Sequence, residues 1–98
     1  MTYELIDPTI QAWVEENGLT LFTSVDEREA RYCFRSSPKG ECFQISLEKP
    51  RSGHVKVHAW SIETIDDEEL HQMWTVGVAE LRSALDNALI QLDEWMNR

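Results

Sequence analysis

Few residues in this chain are equipped for chemistry: His54 and His58 in HVKVHAW, a third histidine at 71, and cysteines at 33 and 42. The two histidines four apart are either half of a metal site or polar rungs of a strand. The segment alternates, with Val55, Val57 and Ala59 on one face and His54, Lys56, His58 and Trp60 on the other, which reads as a strand. Strand residues four apart share a face but lie about 13 Å apart at ~3.3 Å per residue, too far for two nitrogens that must each sit about 2.0 Å from one zinc. Neither a CxxC nor an HExxH spacing supplies further ligands, so no metal and no cofactor is expected.

Acid–base or nucleophilic work would need pairs such as Cys33 with His58 or Glu63 with His71. An activated cysteine needs a base within hydrogen-bond reach and an electropositive, partly open setting. Two strands apart, Cys33 and His58 do not meet that need. The four glycines are scattered at 18, 40, 53 and 77, so no glycine-rich phosphate loop is present. The chain is therefore expected not to be an enzyme.

The elements that would position these residues follow from periodicity and punctuation. In DPTIQAWVEENG, Asp7 is a cap, Pro8 suits the first helical position, Ile10, Trp13 and Val14 share a face, and Gly18 is a stop, giving a helix over 8–17. LTLFTSV, EARYCFRS and ECFQISLE alternate apolar with polar residues and are separated by DERE and SPKG, which predicts three strands. HVKVHAWSI, after the turn KPRSG, is the fourth. From DDEEL onward the spacing predicts helix, with Asp66 as cap and Glu69 as its capping-box partner. Leu70, Trp74, Val78, Leu81, Leu85, Ala88, Leu92 and Trp95 then form one apolar stripe. Unbroken, about 30 residues would span roughly 45 Å against ~26 Å for an eight-residue strand, so the helix either breaks near 75–77 or overhangs onto a second copy through Trp95 and Met96.

The order α-β-β-β-β-α predicts a single α+β domain over 1–98, a two-layer sandwich with a four-stranded antiparallel meander and both helices on one face. Aligning the apolar registers turns Leu21, Thr23, Tyr32, Phe34, Phe43, Ile45, Val57 and Ala59 toward the helices. It leaves Phe22, Arg31, Cys33, Arg35, Cys42, His58 and Trp60 on an aromatic, basic open face. Cys33 and Cys42 are then diagonal and about 7 to 8 Å apart, so both are expected to be free thiols.

The sequence has no basic leader and no run of 18 apolar residues, so no membrane insertion is expected and a cytoplasmic location is. Its formal charge of −9 is uneven: residues 1–27 carry six acids and no Lys or Arg, 28–60 seven bases and three acids, and 61–98 nine acids and two bases. Acidic surfaces steer basic partners, and carboxylates can take the places of phosphates. The expected function is thus that of a non-enzymatic acidic protein of inhibitor or immunity type, occluding a basic partner such as a nuclease or a nucleic-acid-handling complex. Its expected contact residues are Asp66, Asp67, Glu68, Glu69, Glu15, Glu16, Asp26 and Glu27, with Phe22, Arg35, His58 and Trp60 on the sheet. The alternative is a homodimeric adaptor or secretion-type chaperone that pairs through the C-terminal helix. Direct nucleic-acid binding by Phe22, Trp60, Arg31, Arg35 and Lys56 is not expected, because the net charge opposes it and no RNP-like motif is present.

Overall fold

The computed structural model describes residues 3–24, 30–62 and 70–97. After a 3-10 turn at Tyr3–Leu5, helix α1 covers Asp7–Glu16, with Pro8 in the first turn where its missing N–H costs nothing. Ile6 takes the N-cap position without a side-chain hydrogen bond. Asp7 is therefore not the cap that its type suggested, and its carboxylate is engaged by Arg31 instead. The helix ends where expected: Gly18 has φ 65°, its N–H bonds the carbonyl of Glu15, and the N–H of Leu19 bonds that of Val14. This paired closure is the Schellman motif, which favours glycine because a Cβ is strained at positive φ.

Five strands follow in meander order, each antiparallel to the next: β1 (Phe22–Ser24), β2 (Ala30–Ser36), β3 (Cys42–Leu47), β4 (His54–Ser61) and β5 (His71–Gly77). Between β3 and β4 the chain reverses at Ser52 and Gly53, which have φ 53° and 79°, while Arg51 and His54 exchange backbone hydrogen bonds of 2.8 and 3.0 Å. Positive φ at both central residues is the turn whose twist matches the strands it joins. A 3-10 turn, Val78–Glu80, leads into helix α2 (Leu81–Met96).

The architecture is the expected α+β meander with two helices, with one strand more than expected. Residues 71–77 form β5, where helix was expected. Leu70, Trp74 and Val78 are spaced by four, and an even spacing keeps residues on one face of a strand as well as on one side of a helix. Trp74 and Val76 indeed pack against the core from β5. β-branched Thr75 and Val76 fit the pleat better than a helical turn. The helix proper keeps the expected stripe, with Leu81, Leu85, Ala88, Leu92 and Trp95 buried. Its 16 residues span about 24 Å, close to the ~26 Å of the eight-residue β4, so nothing overhangs. Trp95 is buried and stacks on Phe43 with centroids 6.1 Å apart, so it serves this chain's own core and not a second copy. The expected cap at Asp66 and Glu69 lies outside the described residues.

Strand β2 turns the opposite face to the helices from the one expected. Cys33 pairs with Ile45, Arg31 with Leu47 and Arg35 with Phe43, so these three face the helices, while Tyr32 and Phe34 face away. A one-residue difference in register exchanges every side chain between faces. The inward arginines are satisfied by helix carboxylates. Arg31 Nε donates to Asp7 Oδ1 at 2.9 Å and its guanidinium lies 4.2 Å from the centre of the Tyr3 ring, while Arg35 meets Asp93 of α2 at 3.4 Å. An inward arginine with its stem on the core and its head on a carboxylate is a stable arrangement that an apolar-in, polar-out rule misreads.

Phe43, Ile45, Leu47, Val55, Val57 and Ala59 from the sheet and the apolar stripes of both helices form one buried cluster. Trp13 Nε1 donates to Asp86 Oδ1 at 2.9 Å, tying α1 to α2. Among the described residues, no helix is long and apolar enough to cross a membrane.

Candidate functional site

Both helices cover one side of the sheet, so the outward positions of the strands make an open face. Along it run two rows: Phe22, Tyr32, Ser46, His58 and Met73, then Phe34, Gln44, Trp60 and His71. The register slip in β2 replaces the expected arginines with rings. Among the outward strand positions only Lys56 carries a permanent charge, so the face is aromatic but not basic.

One aromatic group sits at the β1–β2 edge. Phe22 stacks on Tyr32 with centroids 5.7 Å apart, and Phe34 meets both rings edge-on at 5.4 Å. Cross-strand aromatic pairs of this kind hold one another's rotamers while their outer surfaces stay accessible. Phe22 and Trp60 remain 42% and 38% exposed and Met73 47%, more than core packing would leave.

The other group sits at the β4–β5 edge. His58 lies between a carboxylate and a second imidazole: its Nε2 is 2.6 Å from Glu48 Oε2 and its Nδ1 is 3.1 Å from His71 Nε2. An ionised carboxylate only accepts, so His58 donates from Nε2. In the neutral ring Nδ1 then carries the lone pair and accepts from the Nε2–H of His71. Trp60 lies against both rings, with centroids 5.7 Å from His58 and 5.1 Å from His71.

Of the residues expected to bind a partner, Phe22, His58 and Trp60 share this open face. Arg35 does not, being turned to Asp93 on the other side. Glu15 and Glu16 are exposed on α1, where Glu15 accepts from Gln11 Nε2 at 2.9 Å and Glu16 pairs with Arg82 of α2. Asp26, Glu27, Asp66, Asp67, Glu68 and Glu69 lie outside the described residues, as does Glu63. The segments 25–29 and 63–69 carry eight acids and one base, so most of the net negative charge belongs to them.

Sequence reasoning missed Tyr32, Phe34, Glu48, His71 and Met73 as members of this face. The alternation of EARYCFRS and HQMWTVG carried the signal, had arginine been allowed inward and a strand been allowed after DDEEL.

The cysteines do not join either group. Cys33 and Cys42 are free, as expected, but lie on opposite faces of the sheet. Burial pushes the Cys33 thiol up to about 11, against a smaller lowering by its backbone hydrogen bond with Ile45. It is a protonated, inward-facing thiol at neutral pH, on the other side of the sheet from His58. Compared with known proteins, the chain matches no family model, and neither a curated protein nor a solved structure shows significant similarity to it.

Proposed function

We propose that this chain is a non-enzymatic binding domain that docks onto and occludes a basic protein partner, using the open face of its sheet as the contact surface. The observation that carries the reading is the exposure of Phe22, Trp60 and Met73 on one helix-free face. Interface anchors are typically aromatic or methionine side chains surrounded by uncharged contacts. The net charge of −9 supplies long-range attraction for a cationic surface, and the carboxylates of 25–29 and 63–69 are its main sources.

The test is affinity capture with the tagged chain in its native host, followed by binding measurements on whatever is retained. A basic protein that binds the wild type and is released by Phe22→Ser combined with Trp60→Ser supports the reading, provided circular dichroism shows the variant folded. Retention by that variant, with loss only on neutralising Asp66, Asp67, Glu68 and Glu69, would move the contact to the acidic segment.

A homodimeric adaptor is the second reading, and the scarcity of charge on the open face favours it. Two copies could meet there with their acidic helices turned apart. Light scattering at several concentrations separates the two, since only the adaptor reading needs a stable dimer.

A further inference from the structure

The geometry points to a two-histidine site for a divalent d-block ion such as zinc or copper, formed by Nδ1 of His58 and Nε2 of His71 on the open face. The two nitrogens are 3.1 Å apart. Two nitrogens bound to one tetrahedral zinc at 2.0–2.1 Å stand about 3.3 Å apart, so the pair is already near ligand spacing. His54, at the start of the same strand, turns its Nδ1 to the Ser52 carbonyl at 3.0 Å and takes no part.

Glu48 completes the arrangement from behind. A metal-binding imidazole usually donates its other N–H to a carboxylate, which selects the tautomer and orients the ring. Glu48 Oε2 does this for His58 Nε2 at 2.6 Å, and so leaves Nδ1 bare and aimed at His71. His71 now donates its Nε2–H into that lone pair. Binding the ion exchanges this hydrogen bond for two metal–nitrogen bonds, with the His71 proton moving to Nδ1 of its own ring, so the site takes the ion without net proton release from neutral rings.

Some movement is required. The centroids are 5.4 Å apart, close to the nitrogen separation plus two ring radii, so the nitrogens face one another nearly head-on. The lone pairs converge on an ion only if the rings tilt outward, and most of that movement falls to His71, which is exposed on an edge strand, because His58 is held by Glu48 on an interior strand. Among the described residues, no three His, Cys, Asp or Glu side chains converge on one point, so these residues supply two ligands and leave the other coordination positions open. Imidazole pairs with open positions suit zinc, copper and nickel and discriminate against magnesium, which prefers oxygen ligands.

The experiment is calorimetric titration of the full chain with zinc chloride at neutral pH, alongside NMR of the imidazole resonances. One saturable site is expected, with His58 and His71 signals shifting together and magnesium silent. His71→Gln and His58→Gln should each weaken binding at least tenfold, Glu48→Gln about tenfold, and His54→Gln not at all. Circular dichroism confirms that each variant is folded. Absence of saturable zinc binding, equal binding by His71→Gln, or equal loss in His54→Gln would overturn the assignment.

Discussion

The imidazoles of His58 on β4 and His71 on β5 meet at 3.1 Å although they are 13 positions apart in the chain. The contact exists because Trp60 pairs with His71 and His58 with Met73, which puts the histidines on a diagonal of the same face. It turns HVKVHAW from a strand with two distant histidines into half of a two-strand cluster.

Burial ranks the effects of large-to-small changes. Leu81 and Phe43 are fully buried, so Leu81→Ala or Phe43→Ala should cost about 2 to 5 kcal/mol, whereas Phe22→Ala on the open face should cost distinctly less. Denaturant melts in which Phe22→Ala proves the most damaging of the three would mean that the sheet faces the other way.

Thr75 gives a test of sign for β5. It faces outward at an exposed strand position opposite Lys56. Alanine is the better helix former by about half a kcal/mol but the poorer strand former by up to ~1 kcal/mol. Thr75→Ala should therefore lower the melting temperature, and a rise would return residues 71–77 to a helix.

Cys33 should make stability fall in alkali. Its thiol is raised from 9.0 to about 11, so the native state holds a proton that the unfolded chain has released. The group's contribution is fully present below pH 9 and lost as pH rises toward 11, a change of about 3 kcal/mol at most. Comparing wild type with Cys33→Ala isolates it: the difference in unfolding free energy between the two should shrink across that window. A constant difference would contradict the buried placement of the thiol. Cys42, less buried and on the open side, should react first with a thiol reagent at pH 8.

Steering by the acidic segments should appear in association kinetics. The Debye length is about 8 Å near physiological salt and about 3 Å at 1 M, so association with a basic partner should slow steeply over that range. Neutralising Asp66, Asp67, Glu68 and Glu69 together should slow it further, while Trp60→Ala should act mainly on dissociation. Surface plasmon resonance over a salt series separates these effects, and an association rate indifferent to both salt and neutralisation would remove acidic steering from the account.

The sequence by itself determined the elements whose signals are local. Pro8 and Gly18 bound α1, Ser52 and Gly53 set the turn before β4, and the period of Leu81, Leu85, Ala88 and Leu92 marks α2. Each depends on backbone preferences or on a repeat within one segment. It also made legible the alternation of β3 and β4, and with it the outward placement of His58 and Trp60. The tertiary structure decided what depends on partners elsewhere in the chain. Arg31 and Arg35 could turn inward only because Asp7 and Asp93 wait on the helices, and that choice put Tyr32 and Phe34 outside. Leu70, Trp74 and Val78 fit helix and strand equally by spacing, and pairing with β4 resolved residues 71–77, Trp74 among them, as strand. That pairing carried His71 to His58, since a contact between strands is set by register and not by any spacing within one.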